Sequence, residues 1–114
     1  MKNYINISIS AKDCDNDQLL LIINKFSDNS VYLKLFNITE NKLVDATEIE
    51  NQRILNIINA FLAEAKEDEY DLENSEYGEL YFNFVNLIFH YISSAYFHAT
   101  LCYEEIKLIN LKEY

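Results

Sequence analysis

Residues 19–26 read LLLIINKF. A continuous apolar run followed by Asn24, Lys25 and Phe26 fits a buried strand in its length and its isoleucines. The alternative is a helix capped by Asp15 or Asp17. The choice decides the fold, because clear strand patterns lie on both sides. Before it, Tyr4-Ile5-Asn6-Ile7-Ser8-Ile9-Ser10 alternates, with Ile5, Ile7 and Ile9 on one face. After it, Ser27-Asp28-Asn29-Ser30 supplies turn chemistry, since Asp and Asn bond nearby backbone and tolerate left-handed angles. Residues 31–38 then alternate again: Val31, Leu33 and Leu35 face one way, Tyr32, Phe36 and Ile38 the other. Glu40-Asn41-Lys42 turns the chain, and Leu43-Val44 begins a short further strand. Taken as a strand, 19–26 completes an antiparallel meander of about four strands over residues 3–46, with one face covered.

The period then changes. Thr47-Glu48-Ile49-Glu50 has the form of a capping box, in which the first and fourth residues satisfy each other's backbone amides. Ile54, Leu55, Ile57, Ile58, Phe61, Leu62 and Ala65 follow at helical spacing, predicting a helix over about 48–66. A second helix is expected over about 79–100. Phe82, Val85, Phe89, Ile92, Tyr96 and Ala99 step by threes and fours, and Tyr81, Phe84, Ile88 and Tyr91 widen the stripe, so this helix reads as largely buried. Residues 101–111 fit either an extension of that helix or an edge strand. The expected class is α+β, one domain spanning 1–114, with both helices packed on the sheet.

Composition agrees. Of 114 residues, 50% are hydrophobic and 14% aromatic, too apolar for disorder despite a formal charge of −10. Such a chain buries roughly two thirds of its unfolded surface, enough for one core. There is one Gly and no Pro, which argues against glycine-rich phosphate loops. The start lacks a signal peptide's apolar core, and the apolar region near 80–102 is interrupted by Asn83, Asn86, His90, Ser93, Ser94 and His98. A cytoplasmic location is expected, with Cys14 and Cys102 as reduced thiols. So acidic a chain repels nucleic acid and lipid surfaces, so direct binding to either is not expected.

Catalytic and metal patterns fail on chemistry. Asp13-Cys14-Asp15-Asn16-Asp17 opens like a calcium loop, but Gln18 stands where the sharp turn needs Gly and Asn24 where a bidentate Glu belongs. His90, His98 and Cys102 do not make the paired ligands of a structural zinc site. Ser93 and Ser94 lack a nucleophile elbow, and a Cys102–His98 pair on one helix lacks an oxyanion hole and an orienting group. No enzyme, cofactor or metal is expected.

The remaining feature is charge. Residues 64–79, EAKEDEYDLENSEYGE, hold eight acids against one base, a net of −7, while the rest of the chain carries −3. Tyr70, Tyr77 and Tyr81 interleave with or adjoin these acids, and tyrosine is a contact residue with little entropy to lose. Density of like charge destabilises its own fold, and it steers rapid association with a basic partner. Glu64, Glu67, Asp68, Glu69, Asp71, Glu73 and Glu76 are the expected electrostatic contacts, with Tyr70 and Tyr77 as anchors. Proteins with basic grooves are those that bind phosphates. Carboxylates placed where phosphates sit would block such a groove, the physical logic of bacterial immunity proteins against nuclease-type toxins or effectors and of phage anti-defence nucleic-acid mimics. The other classes are an acidic chaperone or adaptor for a secreted effector, which predicts a homodimer with an apolar groove, and a small enzyme or carrier with His90 or His98 in a deep cavity. Monomer and homodimer both remain open.

Overall fold

A computed structural model describes residues 3–67, 78–97 and 103–114, with 78–80 described by backbone alone. Seven elements follow in order: β1 (Tyr4–Lys12), β2 (Gln18–Phe26), β3 (Val31–Asn37), β4 (Lys42–Glu48), α1 (Gln52–Glu67), α2 (Gly78–Phe97) and β5 (Glu104–Glu113). The five strands form one antiparallel sheet in the order β4-β3-β2-β1-β5, and both helices pack on it. The class is α+β, with the meander as expected and the C-terminal segment an edge strand.

The run at 19–26 is a strand. Its register puts Leu21 between Ile9 and Leu35, and Ile23 between Ile7 and Leu33. Leu111 and Leu108 of β5 continue these two cross-strand rows. Every one of these side chains except Leu108 is buried. From α1, Ile54, Ile58, Phe61, Leu62 and Ala65 cover this face; from α2, Tyr81, Phe84, Val85, Ile88, Phe89 and Ile92 do so. The alternate residues, Leu20, Ile22, Asn24, Tyr32, Lys34 and Phe36, point to the opposite face, which no described helix covers.

The hairpins are built without glycine. Asn16, Asn29 and Asn41 take the left-handed conformation, with φ of 66°, 69° and 53°. Asn is the residue after Gly that occupies this region most readily. At the β1–β2 turn the Asp13 carboxylate accepts from the amides of Asp15 and Asp17, at 3.0 and 2.9 Å. The Asp17 carboxylate accepts from Asn37 Nδ2 at 3.0 Å. Asp13 and Asp17, two of the three acids of the would-be calcium loop, are therefore spent on the hairpin itself.

Two boundaries differ from expectation. β4 runs through Thr47 and Glu48, with Thr47 opposite Leu33, so the capping box does not form and the first helix begins at Gln52 rather than near 48. Its cap is Asn51, whose Oδ1 accepts from the amides of Arg53 (3.0 Å) and Ile54 (3.3 Å). Tyr96 of α2 adds its hydroxyl, which accepts from the amides of Glu50 and Asn51. Asn51→Ala is expected to cost about 1 kcal/mol in urea unfolding, with Thr47→Ala well below that. A larger loss at Thr47 would mean the cap is misassigned. The second helix ends at Phe97, and residues 98–100 of its expected span lie outside the described residues.

Candidate partner interface on the helical layer

The expected interface residues divide sharply. Glu64 and Glu67 occupy the last turns of α1 and are exposed. Asp68, Glu69, Tyr70, Asp71, Glu73, Glu76 and Tyr77 lie outside the described residues, in the segment joining α1 to α2. Tyr81, counted with the contact tyrosines, is instead a core residue: it is 5% exposed and meets the edge of Phe61 at 5.6 Å between ring centroids.

Below Glu64 the helices also meet through a stacked ring pair. Phe61 and Phe84 stack with centroids 3.7 Å apart and planes 4° from parallel. This pair floors an apolar notch of about 240 Å³ between the helices, lined by Ala60, Phe61, Glu64, Asn83, Phe84 and Leu87. The notch is built by spacing: Ala60 and Glu64 are four apart on α1, and Asn83 and Leu87 are four apart on α2, so each pair edges one wall. Leu87 is 47% exposed and Phe82 is 61% exposed. The second helix, expected to be largely buried, thus keeps an exposed face. Asn83, Asn86, His90 and Ser94 fall on one helical face, and Phe82 and Leu87 lie with them. That polar series was the signal for the outer face, masked by the number of aromatics.

Electrostatics make the placement of acids at this end informative. A helix C-terminus carries partial negative charge, so Glu64 and Glu67 there are mildly unfavourable, by up to about 1 kcal/mol each. Only Lys66 complements the dipole in the last turn. Both carboxylates are exposed to solvent. The opposite end of the helix pair is held by Tyr96 and by Arg53, whose guanidinium carbon lies 6.0 Å from the Tyr91 ring centroid.

The other sequence candidates are distributed over separate places. Cys14 is exposed in the β1–β2 turn. Ser93 is buried and its hydroxyl donates to the Phe89 carbonyl at 2.7 Å within the helix, which occupies it structurally. His90 is partly buried, with its ring 6.4 Å from that of Tyr103 and its Nδ1 without a hydrogen-bond partner among the described residues. His98 and Cys102 lie outside the described residues. Among the described residues, no three His, Cys, Asp or Glu side chains converge as metal ligands, and no helix is long and apolar enough to cross a membrane. Comparison with protein-family models, with curated proteins and with solved structures finds no match to this chain.

Proposed function

We propose that this protein is a stoichiometric inhibitor, an immunity protein that neutralises a nuclease-type toxin or effector in the bacterial cytoplasm by covering its basic substrate-binding surface. The supporting observation is the pairing of chemistries at one end of the helical layer. Exposed Leu87 and Glu64 line the apolar notch together, and exposed Phe82 and Glu67 lie on the same two helices. From there the chain runs into the segment where seven of the ten excess negative charges are concentrated. An apolar anchor ringed by charge is the composition of a binding hot spot: the anchor holds the complex and the charges speed its formation.

The test uses the toxin or effector whose gene adjoins that of this chain. Changing Glu67, Asp68, Glu69 and Asp71 to their amides is expected to slow association on the order of 10–100-fold at low salt, leave the melting curve in place and flatten the salt dependence. Unchanged affinity and salt dependence would sink the reading. The chaperone or adaptor reading draws on the uncovered sheet face, and light scattering separates the two, since a tight homodimer is the expectation for the chaperone.

A further inference from the structure

On the sheet face turned away from the helices, the registers fix which side chains stand abreast across β4-β3-β2-β1-β5. One row holds Leu43, Phe36, Leu20, Ser10 and Lys107. The next holds Ala46, Lys34, Ile22, Ser8 and Asn110, and a third holds Glu48, Tyr32, Asn24, Asn6 and Lys112. The central strand β2 carries an apolar spine, Leu20, Ile22 and Phe26, each half-buried with no described helix above it. The strands beside it differ in bulk. β3 presents Tyr32, Lys34 and Phe36, whereas β1 presents Asn6, Ser8 and Ser10, and both serines are buried. The outer strands differ in charge. Glu48 on β4 and Lys112 on β5, both exposed, close the two ends of one row.

A surface that is large on one side of its midline and small on the other, with an anion at one edge and a cation at the other, is complementary to itself. A two-fold axis along β2, between two copies packed face to face, sets β3 of each copy over β1 of the other and β4 over β5. Leu20, Ile22 and Phe26 then meet their own counterparts on the axis. Phe36 falls over Ser10, and Tyr32 over Asn6. Lys34 falls over Ser8 and brings an ammonium beside Ser10, whose hydroxyl is 6% exposed and has no hydrogen-bond partner among the described residues. Glu48 meets Lys112, twice by symmetry. Within one chain these two stand four strand intervals apart, about 19 Å, too far to touch. Neither is ion-paired among the described residues, and the Lys112 ammonium lies 5.2 Å from the Tyr114 ring centroid.

We infer that this face is a two-fold interface between two copies of the chain, with the β2 spine on the axis and Glu48–Lys112 pairs at the edges. Five strands by about seven residues span about 24 by 24 Å, so on the order of 600 Å² of each copy is covered, at the low end of specific interfaces. The dimer is therefore reversible, unlike the tight homodimer expected of a chaperone. The chain's charge of −10 does not forbid it. Seven of those ten charges belong to residues 64–79, and at 0.15 M salt repulsion is screened beyond about 8 Å. The face is on the opposite layer from the helix-side interface, so the dimer carries two such interfaces outward, and it stands whether or not they bind a toxin.

Sedimentation velocity of the whole protein at physiological salt is expected to show monomer when dilute and a dimer fraction that rises with concentration. Amide shifts on dilution are expected at Ser8, Ser10, Leu20 and Ile22 and not at Phe82 or Leu87. E48K and K112E are each expected to weaken dimerisation about 10-fold or more, because each turns both symmetry-related ion pairs into like-charge pairs. The double variant E48K/K112E restores both pairs in reverse and is expected to return to within about threefold of the parent. These variants change only exposed side chains and should melt alike when dilute. Toxin binding by E48K is expected to be unchanged, so this inference and the inhibitor reading fail separately. A monomer at every concentration overturns the inference and leaves the face to another occupant. Dilution shifts confined to the helix-side notch overturn it by moving the dimer to the other layer. A double variant no better than the single ones overturns it as well.

Discussion

Leu21→Asp is expected to abolish the folded state, while Leu20→Asp, one residue earlier, costs only about 1 kcal/mol. Leu21 is 1% exposed and sits between Ile9 and Leu35 under the helices. Removing it forfeits about 1.5–3 kcal/mol of burial, and an unpaired carboxylate in that place adds several kcal/mol more. Together these approach the whole stability of a domain, roughly 5–15 kcal/mol. Leu20 is only half-buried, on the other face, with Lys107 in its cross-strand row. A carboxylate there keeps contact with water. Circular dichroism and urea unfolding of the two variants read the period of this segment directly. Similar losses at both positions would contradict a strand, because a period of two is what separates them.

Phe61→Ala and Phe84→Ala are each expected to lower stability by about 3–5 kcal/mol. Both rings are buried, and they stack on each other. The double variant should lose less than the sum, by about 0.5–1.5 kcal/mol, because the stack is lost with the first truncation. Denaturant unfolding of the four proteins closes the cycle. Strict additivity would show that the rings fill space independently. The same pair floors the helix-side notch, so its loss should also weaken partner binding, whereas Phe82→Ala should weaken binding with little change in stability.

The alternation at Ile5, Ile7 and Ile9 and at Val31, Leu33 and Leu35 made the sheet legible, because one buried face imposes a period of two. The first helix was legible in its apolar stripe but not in its start. Thr47 and Asn51 are both competent caps, and pairing of Thr47 with Leu33 removes the first from contention. The choice between them is made by the sheet, outside any local window. The C-terminal strand was obscured by its irregularities. Shifts in register opposite Ser8–Ile9 and Ser10–Lys12 set its inward residues at Ile106, Leu108 and Leu111, a spacing that alternation does not produce. At the candidate interface, Glu64 and Glu67 were legible from charge. Phe82 and Leu87 were not, because their exposure depends on which face of an aromatic helix turns inward.

The pairing of β1 with β5 has a consequence for synthesis. β1 is made before β2 and can pair with it early, but its other edge waits for residues 104–113, which follow much later in the chain. Until then a nascent chain presents Ile5, Ile7 and Ile9 on a strand with one edge of its backbone unpaired, the geometry that recruits strands from other molecules. The meander forms through neighbouring contacts, while the closing pair joins positions about a hundred residues apart and is slow to find. Fragments ending before β5 should therefore aggregate rather than fold, and chaperone dependence should fall once Glu104–Glu113 has emerged.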